Sequence, residues 1–111
     1  MKRYEKKDVK ELSNEKGYYL PKSLFESGKY KNLRVEVKFA YCALLNTLIK
    51  KPSYDKEGKA FIKTDNPSSV EALKDLANKE VDQAKMNGYI DELNKADLIE
   101  IESKNIYFGD L

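Results

Sequence analysis

Between Val37 and Leu48, six apolar side chains (Val37, Ala40, Tyr41, Leu44, Leu45 and Leu48) recur at the spacing of one buried stripe on an α-helix. The pattern predicts a helix over residues 35–50. Lys50-Lys51-Pro52 ends it, because proline cannot continue the hydrogen-bond ladder. At 111 residues the chain has room for one domain around one modest core, and this helix is its natural centre.

Further elements must bury that stripe. Tyr18, Tyr19 and Leu20 favour an extended segment before Pro21, and Pro21 is placed to open a short helix through Phe25 that Gly28 closes. A turn at Asp55–Gly58 feeds a strand over residues 59–64. "NPSSVEALKDLAN" reads as a second helix with a capping box between Ser68 and Glu71 and a buried side of Val70, Leu73 and Leu76. After a turn at 78–81, Asp82 can cap a third helix running to about Ala96, whose apolar face is Met86, Tyr89, Ile90 and Leu93. Ile99 and Ile101 then alternate with Glu100 and Glu102, and the tight turn "SKN" leads to Ile106, Tyr107 and Phe108. That is a hairpin with one dry face. The order specifies an α+β winged helix-turn-helix: three main helices, a small antiparallel sheet and a wing hairpin near the C-terminus. Residues 1–17 are expected to form a flexible basic arm, and residues 18–111 the domain.

Composition removes several functions. There is no histidine, so His-based acid/base, nucleophile-activation and zinc chemistry are absent. No glycine-rich phosphate loop precedes a Lys-Ser/Thr pair, and "DKEG" lacks the further ligands of a calcium loop. The expectation is a non-enzyme with no metal and no cofactor. Cys42, the single cysteine, sits in "FAYCALL" on the central helix and reads as a buried, inert thiol in a reducing, cytoplasmic setting. "MKRYEKKDVK" leads into no apolar run of a signal peptide, and the longest apolar stretch, residues 39–45, is far short of a membrane span.

Four segments taken in order resemble the N-terminal domain of plasmid replication initiator protein A, a family of low-GC Gram-positive plasmids and related mobile elements. They are "GYYLPKSLFESGKYKNLRVEVKFAYCALL", "DKEGKAFI", "SSVEALKDL" and "IDELNKADLIEI". The family's marks fall at Tyr18–Lys22, Lys29–Leu33, Asp55–Gly58 and Glu92–Ile99. The resemblance implies a winged-helix domain that binds plasmid origin DNA, usually as a homodimer, with the third helix in the major groove of double-stranded DNA.

The third helix fits that role unevenly. Its face opposite the apolar side shows Ala84, Gly88, Asp91 and Lys95, edged by Gln83 and Asn87 on one flank and Lys85 and Glu92 on the other. Gln83 or Asn87 can pair with adenine edges and Lys85 with guanine. Gly88 costs about 1 kcal/mol of helix stability relative to alanine, which suits a position where something approaches closely. Phosphate anchoring needs cations, and nearby Lys79, Lys85 and Lys104 supply them, with Asn105 beside the wing turn. The rest of the positive charge lies in the first half, where Lys29, Lys31 and Arg34 are candidates. Residues 1–51 hold 13 Lys/Arg against 6 Asp/Glu, and residues 52–111 hold 8 against 13. A second reading therefore stays open. The acidic residues Asp91, Glu92, Glu100 and Glu102 can instead meet a basic nucleic-acid enzyme, as in a stand-alone plasmid or phage inhibitor such as an anti-CRISPR.

Overall fold

The central helix occupies Val35–Lys50 (α3) in the computed structural model, which describes residues 1–13 and 17–111. It is buried on more than the stripe its apolar residues define: Cys42, Ala43, Asn46 and Thr47 are also enclosed. The neighbours explain this. α4 (Pro67–Ala77), α5 (Gln83–Lys95) and strand β2 (Ala60–Lys63) all pack against it, as does α1 (Lys6–Leu12). Burial of Cys42 pushes its thiol up to about 12, so it stays protonated and unreactive.

The remaining elements are α2 (Lys22–Glu26), a single 3-10 turn at Gly28–Tyr30, β1 (Ser53–Tyr54), β3 (Glu100–Glu102) and β4 (Asn105–Tyr107). The strands form one antiparallel sheet in the order β1-β2-β4-β3. Reading α3, β2, α4, α5 and the β3–β4 hairpin in sequence gives the winged helix-turn-helix expected from the residues. β1, too short to show as a pattern, adds a fourth strand that pairs with β2 across the Asp55–Gly58 turn. Asp55 holds this turn by accepting from the amides of Glu57 (2.9 Å) and Lys59 (2.8 Å). Those bonds, the Lys59 amide first, draw its carboxyl below the usual range.

The α4 cap differs from the Ser68–Glu71 box. Pro67 has no N–H and occupies the first helical position, so the helix starts two residues earlier than that box requires. Asn66 is the cap, its side chain accepting from the Ser68 amide at 2.9 Å. Ser69 and Leu73 are the fully buried side chains of α4, with Val70 and Leu76 half-buried. α5 starts as expected: Asp82 accepts from the Lys85 amide at 2.9 Å, and Met86, Tyr89, Ile90 and Leu93 are buried.

Of the arm expected over residues 1–17, residues 14–16 lie outside the described residues, and residues 1–13 are tied into the domain. The Tyr4 amide donates to the Phe108 carbonyl (2.7 Å), and the Ala60 amide donates to the Tyr4 carbonyl (2.8 Å). Tyr4 thus spans the gap where β2 and β4 separate, flanked by bridges Arg3–Gly109 and Glu5–Lys59. Val9 on α1 is buried. The driving force is satisfaction of main-chain groups that the diverging strands leave unpaired, which no residue pattern in the segment announces. Tyr18 and Tyr19 pack onto the helices: Asn46 clamps Tyr19 by both its main-chain groups at 2.7 Å, and the Tyr18 hydroxyl donates to Asp75 at 2.8 Å.

Candidate nucleic-acid interface

The buried face of α5 leaves Ala84, Lys85, Asn87, Gly88 and Asp91 exposed to solvent, with Gln83 half-buried at the start. A Cβ at Gly88 would meet nothing within 4 Å. No neighbour among the described residues requires this glycine, so its helix-weakening effect is unexplained by internal packing. The amino half of α5 is therefore a shallow strip of small and amide side chains beside one lysine.

Thr64 joins this strip to the wing. Its carbonyl accepts from Gln83 Nε2 (3.0 Å), while its amide donates to the carbonyl of Lys104 in the wing turn (2.9 Å). One residue earlier, Lys63 Nζ donates to Asn105 Oδ1 at 2.6 Å. The end of β2, the wing turn and the opening of α5 thus form one edge carrying Lys63, Gln83, Lys85, Asn87, Lys104 and Asn105. Lys63 was not among the residues singled out from the sequence. The signal was present, since alternation through "AFIK" sets Lys63 on the outward face of its strand, but only the register Lys63 to Asn105 puts it beside the wing.

The wing turn is itself informative. Ser103 and Lys104 hold φ values of +50° and +67°, a left-handed pair that Asn-Gly makes with less strain. A lysine at such a place is not chosen for the turn. It presents an exposed cation at the tip of the hairpin.

The first-half cations lie elsewhere. Arg34 reaches across to the carboxyl half of α5, where its guanidinium donates to both Glu92 oxygens, the Nε contact being 3.2 Å, and to Glu36 at 3.4 Å. The Glu92 bonds raise the Arg34 pKa further above its ordinary value. Lys29 and Lys31 are exposed in the segment leading to Arg34. Lys79 stands exposed in the turn between α4 and α5. The sequence-predicted cations therefore do not form one patch: Lys85 and Lys104 belong to the amino-half edge, and Arg34 belongs to the other half of the same helix.

The carboxylates follow the same division. Arg3 lies 3.8 Å above the Tyr107 ring and donates to Glu100 (2.8 Å) and Glu102 (3.0 Å) on the outward face of β3. Tyr107 in turn donates its hydroxyl to Asp55 at 2.9 Å. Glu100 and Glu102 thus face outward as expected, but under an arginine from the other end of the chain. Of the four acidic residues proposed for a protein partner, Glu92, Glu100 and Glu102 are paired with arginines. Asp91 is exposed and makes no ion pair among the described residues.

A groove of about 970 Å³ runs between the carboxyl end of α3 and the amino end of α4, lined by Lys50, Lys51, Ser68 and Glu71 among others. Its buried polar side chains, Asn46 and Thr47, are both bonded within the chain, so it presents no unmet demand for a ligand. Among the described residues no group of His, Cys, Asp and Glu is arranged to hold a metal ion. No helix among the described residues is long and apolar enough to cross a membrane.

No protein-family model and no curated protein matches the chain. Three solved structures do. The structure of an MDR initiator shares 29% identity at a TM-score of 0.59, covering 92% of this chain and 83% of that one. A DNA-binding protein's N-terminal domain shares 26% identity at a TM-score of 0.57, covering 100% and 85%. A Rep–DNA complex shares 28% identity at a TM-score of 0.53, covering 93% and 81%. The chain is built like a Rep N-terminal domain. The initiator resemblance read from "GYYLPK" through "ADLIEI" is therefore matched in three dimensions over nearly the whole chain. In this fold the edge joining α5 to the wing is exposed at Lys63, Lys85, Asn87 and Lys104.

Proposed function

We propose that this chain is the DNA-binding domain of a replication initiator, acting by binding rather than catalysis. The amino half of α5 enters the major groove of double-stranded origin DNA, and Lys63, Lys85 and Lys104 neutralise flanking phosphates. The observation that carries this reading is the Thr64 junction, which fixes the opening of α5 and the wing turn as one edge with three exposed lysines. The likeness to the Rep–DNA complex supports it. Action as a homodimer on a two-fold repeated site, in the cytoplasm, completes the proposal.

The inhibitor reading is not adopted. An acidic docking face needs unpaired carboxylates, and arginines occupy three of its four.

Fluorescence anisotropy with origin-like and mixed-sequence duplexes tests the proposal. Binding at low salt should weaken log-linearly as salt rises, with a slope of about −0.9 per phosphate neutralised. No binding to either duplex at low salt would sink it. Light scattering of the complex tests the dimer, which one protomer per two-fold site would refute.

A further inference from the structure

Gln83 and Asn87 stand one helical turn apart, and Gln83 Nε2 donates both to the Thr64 carbonyl (3.0 Å) and to Asn87 Oδ1 (2.8 Å). The oxygen and nitrogen ends of a side-chain amide are alike in shape, so orientation is ordinarily set only by partners. Here the partner at the origin of the chain is unambiguous. A main-chain carbonyl accepts and never donates, so the Gln83 group facing Thr64 is the nitrogen. The second hydrogen on that nitrogen needs an acceptor, so Asn87 must turn its oxygen toward Gln83 and its nitrogen away.

We propose that Asn87 is the residue that selects adenine in the DNA, with Gln83 as the positioning residue that locks its amide. The inference rests on the DNA-binding reading above and divides two roles the sequence left interchangeable. Asn87 Oδ1 keeps one lone pair, and Nδ2 keeps both hydrogens, with no protein acceptor among the described residues. In the major groove adenine shows an N6 donor beside its N7 acceptor, whereas guanine shows the O6 acceptor beside N7. A locked Asn87 meets adenine with two bonds and sets oxygen against oxygen at guanine. An amide free to rotate would accept guanine through its nitrogen. Flanking Ala84 and Gly88 leave the approach clear, since the space outside Gly88 is empty.

Selection of sites from a randomised duplex pool by the full chain, followed by sequencing, tests the assignment. The wild-type chain should show a position preferring adenine over guanine by roughly 5- to 150-fold. Asn87→Ala should lose the preference at that position alone. Gln83→Met, which keeps length but removes both donors, should admit guanine there. Melting of each free variant accompanies the selection. Asn87 is exposed, so its truncation should leave the melting temperature nearly unchanged while the base preference moves. Adenine preference that survives Asn87→Ala, or guanine still excluded by Gln83→Met, overturns the assignment. Salt-dependent duplex binding with no base preference overturns it while leaving the DNA-binding reading intact. Absence of all duplex binding at low salt removes both.

Discussion

The two halves of α5 live in different electrostatic conditions. In the amino half, Lys85 and Asn87 are exposed, and the wing adds Lys63 and Lys104. In the carboxyl half, Glu92 is held by Arg34, and on the wing strand Glu100 and Glu102 are held by Arg3. Counting charges along the helix and the wing strand together sets Asp91, Glu92, Glu100 and Glu102 against Lys85 and Lys95, whereas pairing them in space cancels three of the four carboxylates and leaves the lysines. For an interface, the relevant quantity is the charge left unpaired, and arginines distant in sequence determine it here.

The largest effect should come from removing the support both halves share. Leu93 is fully buried beneath α5, and Leu93→Ala should cost roughly 2–5 kcal/mol of folding stability through lost burial and a cavity. Urea unfolding measures this, and a loss well under that range would mean that Leu93 does not anchor α5 in the core.

Next in size is the unpaired edge. Replacing Lys63 and Lys104 together by Gln should weaken duplex binding and make the salt slope shallower by about 2, near one per phosphate contact. The same pair of changes at Lys29 and Lys31, outside that edge, should alter the slope less. Equal changes from both pairs would erase the distinction between the regions.

A smaller effect should follow from unpairing the acidic half. Glu92→Gln releases Arg34, and binding to mixed-sequence duplex should tighten by roughly threefold as one carboxylate goes and one cation becomes available. Unchanged anisotropy titrations would show that Arg34 is not within reach of the phosphates.

The smallest is a pH response of the wing's outer face. Asp55 has a folded pKa below its ordinary value, because the Lys59 amide and the Tyr107 hydroxyl donate to its carboxylate. Its contribution is therefore present above the ordinary carboxylate pKa of about 4 and is lost as pH falls through the lower folded value. Wild-type stability should decline in acid, and Asp55→Asn should be less stable near neutrality yet flatter in acid. Parallel urea-midpoint curves for the two chains would contradict the assignment.

The local elements were legible where a pattern repeats within a few residues. The α3 stripe, the Asp82 cap, the buried face of α5 and the place of the wing turn at "SKN" all follow from neighbouring side chains. Legibility failed where a partner lies far along the chain. Ser68 looked like a cap because the pattern ignores that Pro67 already begins the helix, leaving Asn66 to do the work. Residues 1–13 read as an arm because their structure depends on unpaired main-chain groups of Ala60 and Phe108. Lys63 went unnoticed because its relevance comes from register with Asn105.

From its own residues this chain determined its three main helices, its wing hairpin and their order, because hydrophobic periodicity and turn chemistry act over a few positions. Tertiary structure alone decided which charges remain available. Arg3 and Arg34 reach Glu100, Glu102 and Glu92 across separations of 97, 99 and 58 residues. Coulombic pairing depends on distance in space, and no reading along the chain contains that distance.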